Sequence, residues 1–246
     1  MTEPSPVLSL RNLHKAFGGL IAIQDFSLDL FPSKIVALVG DNGAGKSTIV
    51  KIISGIYRPT SGELRLDGSV VSFLDASSAR SKGIEVVHQD LALVDEQPVY
   101  MNMFLGQELI KKPFGLLDKA RMRQESQDLV DALDVRIPSA NSTIRDLSGG
   151  QRQGIAIARA VHWASKLILL DEPTAALGVA ETKKVEELVS SLRERNLAIL
   201  LISHSLDQVF RLSDRIVVLR RGQQVGIRET CETDKNEIIS MITGVN

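Results

Sequence analysis

Three glycines, a lysine and a serine make up most of GDNGAGKS, residues 40–47. Glycines let successive backbone N–H groups converge on one anion, and a neighbouring lysine adds a cation. The stretch follows the apolar run IVALV and precedes a helical pattern, so the positive end of a helix points the same way. Strand, glycine loop and helix in that order form the context of a phosphate-binding loop. Lys46 is placed to reach β- and γ-phosphates, and the Ser47 hydroxyl to bind Mg2+. A glycine-rich turn that binds nothing is the weaker reading, given both flanking elements.

Two carboxylates lie far along the chain, in LILLDEP. Asp171 and Glu172 close a buried strand, at the edge of an open α/β sheet where ligands bind. Asp171 is the natural Mg2+ partner, and Glu172 is placed to polarise an attacking water. Taken alone, the pair is equally well read as a solvated acidic turn stopped by Pro173. Gln89 follows GIEVV and is expected to reach the metal or the water, although an isolated loop glutamine more often has no chemical role. His204 follows LAILLIS, and Ser205 with Gln208 fits a capping box, so His204 falls between a strand end and a helix start. His14, His88 and His162 have no such placement and read as structural.

A second glycine stretch, LSGGQ, spans residues 147–151. Ser148 and Gln151 match a capping box, so a well-capped helix start explains it. The same physics gives a functional reading, since Gly149 and Gly150 expose N–H groups to an anion. The first loop already cradles the phosphates, so a second set of donors must approach from the other side, as it would from another copy of the chain.

The elements that must hold these groups are legible as apolar runs. Ile35–Val39, Leu167–Leu170 and Leu197–Ile202 read as buried strands. Helical patterns from Lys46 to about Ile56, Gly150 to His162 and Val179 to Arg195 alternate with them, which predicts a mostly parallel sheet covered on both faces. Val7–Leu10, Ile23–Leu30 and GELRLDG read as antiparallel strands and a turn. Between Gln89 and Leu147 no strong strand is expected. MNMFLGQELI and KARMRQESQDLVDALDV read as helices, hence a helical insert, approximately 90–160, in a single domain spanning 1–246.

In that order the motifs resemble the ATP-binding subunit of ABC transporters, over essentially the whole chain. GDNGAGKST resembles the Walker A motif, so Gly40, Asp41, Asn42, Gly43, Ala44, Gly45, Lys46, Ser47 and Thr48 are implied to hold ATP. HQD around Gln89 resembles the Q-loop, LSGGQ the signature with Ser148, Gly149, Gly150 and Gln151 on the nucleotide, LILLDEP the Walker B motif, and His204 the switch histidine. The resemblance implies a RecA-like P-loop NTPase core with an antiparallel β subdomain and an inserted helical subdomain. It further implies a head-to-tail dimer enclosing two ATPs with Mg2+, and Phe17 stacked on adenine; read alone, Phe17 is as well explained by packing. Implied catalytic groups are Glu172, His204 and Gln89, and implied metal ligands Ser47, Gln89 and Asp171. GDNGAGKST, QDLAL and DEPTAALGV also resemble the ribose, xylose and fructose import branch. Many ATPases of that branch are two fused copies, and this chain holds one, so a homodimer or a heterodimer with a paralogue is implied. Gly178 stands where most of the family has an aspartate.

Composition bounds the alternatives. The chain has 246 residues, 43% of them hydrophobic, a net charge of −1 and one cysteine. It lacks the basic excess of a general nucleic-acid binder, and no intrachain disulfide is possible. The acidic, proline-broken start lacks the pattern of a signal peptide, and no apolar run approaches a membrane span. The expectation is a cytoplasmic protein held at the inner face of the cell membrane by integral permease subunits, and linked through them to a solute-binding protein. The apolar VYMNMFL segment, Val99–Leu105, is expected to meet the permease. An ABC-type ATPase serving a ribosome or DNA is the alternative, although such proteins usually carry two cassettes or long coiled-coil inserts.

Overall fold

The computed structural model describes residues 5–113 and 115–244; the acidic start, residues 1–4, lies outside them. Chain order is β1 (Leu8–Phe17), β2 (Leu20–Leu30), β3 (Ile35–Val39), α1 (Lys46–Ile53), β4 (Ser61–Leu66), β5 (Ser69–Val71), α2 (Ala76–Arg80) and β6 (Ile84–Val87). Then come α3 (Val99–Met103), β7 (Ile110–Lys111), β8 (Leu116–Leu117), α4 (Lys119–Ala132), α5 (Gly149–Trp163), β9 (Leu167–Asp171) and α6 (Val179–Ser191). The chain finishes with β10 (Ala198–Ile202), α7 (Leu206–Leu212), β11 (Arg215–Arg220), β12 (Gln223–Glu229) and α8 (Lys235–Thr243). It divides into two compact units, Met1–Val86 with Ala164–Glu172 and Leu192–Asn246, and Val87–Trp163 with Pro173–Ser191.

The first unit is built on a sheet of order β5-β4-β1-β2-β12-β11-β3-β10-β9-β6. β3 pairs in parallel with β11 and β10, and β10 with β9. β1 pairs antiparallel with β2 and β4. This is the mixed α/β fold that the apolar runs predict. All five residues of β3 are buried, and the strand period of two sends them to opposite faces. Val36 and Leu38 join a core with Ile49, Ile53, Phe26 and Leu200. Ala37 and Val39 pack with Val209, Ile216 and Ile238. Burial on both faces is why IVALV reads as an unbroken apolar run. Asp214 fastens the entry to β3: its carboxylate accepts from the Ile35 N–H at 2.8 Å and from Arg193 at 2.7 Å.

The second unit is mainly helical. α5 buries Gln153–Ala158 and ends in an aromatic group, where His162 and Trp163 meet Phe104 edge to face at 4.9 and 5.8 Å. The indole N–H donates to Met103 O at 3.0 Å. One expectation is corrected: MNMFLGQELI is not one helix, since α3 stops at Met103, the backbone turns left-handed at Gly106 (φ 79°), and Ile110 enters the short β7–β8 pair. Val99, Tyr100, Met103 and Phe104 are core residues of this unit and only Leu105 of that segment is substantially exposed, so Val99–Leu105 does not offer the apolar face expected of it. Arg159 of α5 donates to Leu91 O and Ala92 O, both at 2.8 Å, which ties the segment after Gln89 to this helix. Three other helices are shorter than their patterns predict: α1 ends at Ile53, α4 at Ala132, and α6 at Ser191 before a 3-10 turn, Leu192–Arg195. Among the described residues no helix is long and apolar enough to cross a membrane.

Candidate active site

The loop Gly40–Gly45 leaves the end of β3 and enters α1 at Lys46. Gly45 is the N-cap, with φ 111°. A Cβ there would lie 2.6 Å from Ile23 Cδ1 and 2.8 Å from Ala22 O, so the loop is shaped around a residue without a side chain. The first N–H groups of α1 have no partners within the helix, which leaves donors for an anion. Lys46 Nζ donates to Gly40 O at 2.6 Å and Asp41 O at 2.9 Å. Burial pushes its ammonium below the usual lysine range, and Glu172, Asp171 and Asp41 oppose that push. The structure thus brings Lys46 under the field of both carboxylates that the sequence singles out.

β9 ends at Asp171, opposite Ile202 of β10. The Glu172 N–H continues that ladder to Ile202 O at 2.9 Å, and its backbone then turns left-handed, with φ 53°. A non-glycine residue in this region costs about 1 kcal/mol or more and recurs at functional sites. Here it turns the chain out of the sheet at the residue expected to act on water. His204 comes from the two-residue connection between β10 and Ser205, the N-cap of α7, whose hydroxyl accepts from the Gln208 N–H. Its Nδ1 lies 2.5 Å from Glu172 Oε2, with Glu172 16% and His204 74% exposed. The imidazole holds a largely covered carboxylate, and much of its own ring faces solvent. Lys46, Ser47, Asp171, Glu172 and His204 therefore all belong to the first unit, at the ends of β3, β9 and β10. Among the described residues no group of three or more His, Cys, Asp or Glu is arranged to hold a metal. Ser47 and Asp171 instead supply a hydroxyl and a carboxylate, hard oxygen donors that suit Mg2+ when substrate phosphates complete the shell.

Phe17 closes β1, is 41% exposed, and meets Tyr57 edge to face at 5.1 Å. The core does not bury it, which leaves ring surface for a ligand.

Gln89 and the LSGGQ stretch lie in the second unit. Gln89 is exposed, in a bend after β6. The capping box at Ser148 is complete: the Gln151 N–H donates to Ser148 Oγ at 3.3 Å, and the Ser148 N–H to Gln151 Oε1 at 2.9 Å. Glu181, on the first turn of α6, is a residue the motifs do not point to. Its carboxylate accepts from the Gly150 N–H at 3.3 Å and the Gly178 N–H at 3.4 Å. A hydrogen bond from Ser148, followed by those from Gly150 and Gly178, holds it below the usual carboxylate range. Of the LSGGQ glycines, Gly150 presents its N–H to an anion, and in this structure that anion is the Glu181 carboxylate of the same chain. The spacing Gly178-x-x-Glu181 resembles a capping box and was the available signal.

A family model described as ABC transporter matches residues 23–175. The chain is 46% identical to a xylose/arabinose import ATP-binding protein of Sulfolobus acidocaldarius, over 97% of this chain and 94% of the relative. It is 42% identical to a fructose import ATP-binding protein of Rhizobium meliloti, again over 97% and 94%. A ribose import ATP-binding protein of Jannaschia sp. is 39% identical over 97% of this chain, which spans only 46% of that relative's length. Among solved structures, a nucleotide-free ATP-binding cassette from an ABC transporter superposes with a TM-score of 0.82 at 21% identity, over 97% and 95% of the two chains. A dimeric structure of a bacterial ABC transporter cassette gives 0.76 at 25% identity, over 91% and 98%.

Proposed function

Because the chain belongs to the ABC transporter family, we propose that Lys46, Asp171, Glu172 and His204 form the hydrolytic half-site of a sugar importer's ATPase subunit. The 2.5 Å contact between His204 and Glu172 beside the glycine loop carries this reading. Lys46 and the loop N–H groups bind the β- and γ-phosphates. Glu172 orients water and takes its proton, and His204 holds the carboxylate in position. Ser47 and Asp171 would hold Mg2+, which would supply positive charge against the phosphates. Gln89 is the further group assigned to the metal or the water, and Phe17 the adenine platform. Ser148–Gln151 meets the nucleotide of a second copy or of a paralogue, so that ATP closes the dimer and hydrolysis reopens it.

The xylose/arabinose, fructose and ribose relatives support a pentose or hexose as the imported sugar. The force passes to integral permease subunits, which place the chain at the inner face of the membrane and link it to a solute-binding protein. No observation favours a ribosome or DNA as the partner. The test is Glu172→Gln in the purified chain with Mg-ATP. ATP binding persists, turnover stops, and an ATP-bound dimer accumulates; normal turnover would remove Glu172 from the reaction. Lys46→Ala abolishes turnover, and surviving activity would remove the loop from it.

A further inference from the structure

We propose that Tyr57 is a positioning residue for the nucleobase, acting by bracing Phe17 together with Lys15; this rests on the reading of Phe17 as the adenine platform. Phe17 sits at a strand end and its neighbours Gly18, Gly19 and Leu20 are exposed, so within its own strand only the Lys15 ammonium stands against the ring. The ring contact that braces it comes from the segment after α1. The Tyr57 N–H reaches back to Lys51 O at 2.9 Å, which turns the chain out of the helix and brings the phenol under Phe17. The two rings meet at 5.1 Å with an interplanar angle of 69°. Lys15 Nζ stands 4.8 Å from the Phe17 centroid and 5.7 Å from that of Tyr57. The same ammonium donates to Arg58 O at 2.8 Å.

Two further bonds fasten the segment to the end of β1. The Ala16 N–H donates to Thr60 Oγ1 at 3.1 Å, and the Thr60 N–H to His14 O at 2.8 Å. The Tyr57 ring also packs on the buried core of the first unit, beside residues of α1. The helix that begins with the phosphate-binding lysine is therefore followed directly by the residue that props the base platform. Phosphate site and base site are connected through α1, and the ring pitch that Tyr57 sets determines how well a base stacks when its phosphates are already seated.

An edge-to-face pair contributes enough that losing it weakens stacking roughly three- to tenfold. Binding of Mg-ADP and of inorganic tripolyphosphate to the full chain is measured by calorimetry. Tyr57→Leu lowers ADP affinity by that factor and leaves tripolyphosphate within about twofold, whereas Tyr57→Phe, which keeps the ring, restores it. In a Phe17→Ala background Tyr57→Leu has no further effect, because the platform it braces is gone. Should Tyr57→Leu fail to fold, Lys15→Met carries the test, since it removes a half-exposed cation and leaves the core intact; it lowers ADP affinity roughly two- to threefold with tripolyphosphate unchanged. Equal losses for ADP and tripolyphosphate, or a Tyr57 effect that persists without Phe17, overturn the proposal. An unchanged ADP affinity in Phe17→Ala alone removes the adenine reading and the proposal together. Tripolyphosphate binding reports the Lys46 loop separately in each case.

Discussion

Two glycines of one loop make a matched pair whose substitution by alanine is expected to have very different costs. Gly45→Ala places a Cβ 2.6 Å from Ile23 Cδ1 and 2.8 Å from Ala22 O, at φ 111°. Ile23 is fully buried, so its methyl has nowhere to swing, and the other obstacle is backbone. The left-handed backbone contributes about 1–3 kcal/mol and the overpacking another 1–3 kcal/mol or so, roughly 2–6 kcal/mol together. Gly43 also has positive φ, 78°, but an added Cβ meets nothing within 4 Å. Alanine there carries only the backbone term, about 1 kcal/mol once the stiffer unfolded chain is counted. At a urea slope of roughly 3 kcal/mol/M, Gly45→Ala lowers the midpoint by about 0.7–2 M and Gly43→Ala by about 0.3 M. Urea melts with and without Mg-ADP measure both the cost and the ligand's protection. Gly45→Ala loses that protection, because relieving the clash moves the N-terminus of α1 away from its phosphate-binding geometry. Equal midpoints for the two variants would refute the reasoning, as would a Gly45→Ala chain that ADP still protects.

A mixed dimer tests which nucleotide LSGGQ serves. With Lys46→Ala in one chain and Ser148→Arg in its partner, both lesions fall in one composite site and partial ATPase remains. With both in one chain each site is hit once and activity is nearly lost; the reverse ranking would assign the signature to its own chain's nucleotide. Asp214→Asn destabilises the first unit by about 1–3 kcal/mol at neutral pH. Although burial raises the Asp214 pKa, its bonds from Ile35 and Arg193 outweigh this and hold it below the usual range. The unfolded chain therefore binds the proton more tightly, and the contribution is present above about pH 4 and fades as pH falls through the folded value; an unchanged gap in urea melts at neutral and strongly acid pH would count against it. Burial itself holds His162 below its usual range, against the pull of Glu125, so acid destabilises here too. Stability falls as pH drops from about 6.5 toward the folded value, and His162→Phe, which keeps an aromatic beside Phe104 and Trp163, flattens that part of the profile in melts on either side of it.

The local rules found what was local. IVALV, LILL and AILLI are runs because both faces of their sheet are covered, and the loops at their ends carry Lys46, Asp171, Glu172 and His204. Ser148 and Gln151 declare a helix start by spacing alone, and the structure closes the box with both bonds. What sequence reasoning missed depends on partners distant in the chain. Val99, Tyr100, Met103 and Phe104 of VYMNMFL are consumed by the core of their own unit, which no periodicity distinguishes from a docking face. Strands of two residues, as in β7 and β8, carry no alternation to read. Tyr57 and Glu181 have their roles only through Phe17 and Gly150, 40 and 31 positions away.

The aromatic group at the end of α5 has an optical consequence. Trp163 is the only tryptophan in the sequence, and it reports from the unit that carries LSGGQ and Gln89, not from the one that carries Lys46. Its surroundings, an edge-on phenyl, an imidazole and a carbonyl on the indole N–H, set the colour and intensity of its emission. The chain thus holds an intrinsic indole lamp in the second unit and none in the first. A change in indole emission on adding ADP is a change at the end of α5, and an unchanged spectrum at saturating ADP means that this aromatic group does not register the ligand.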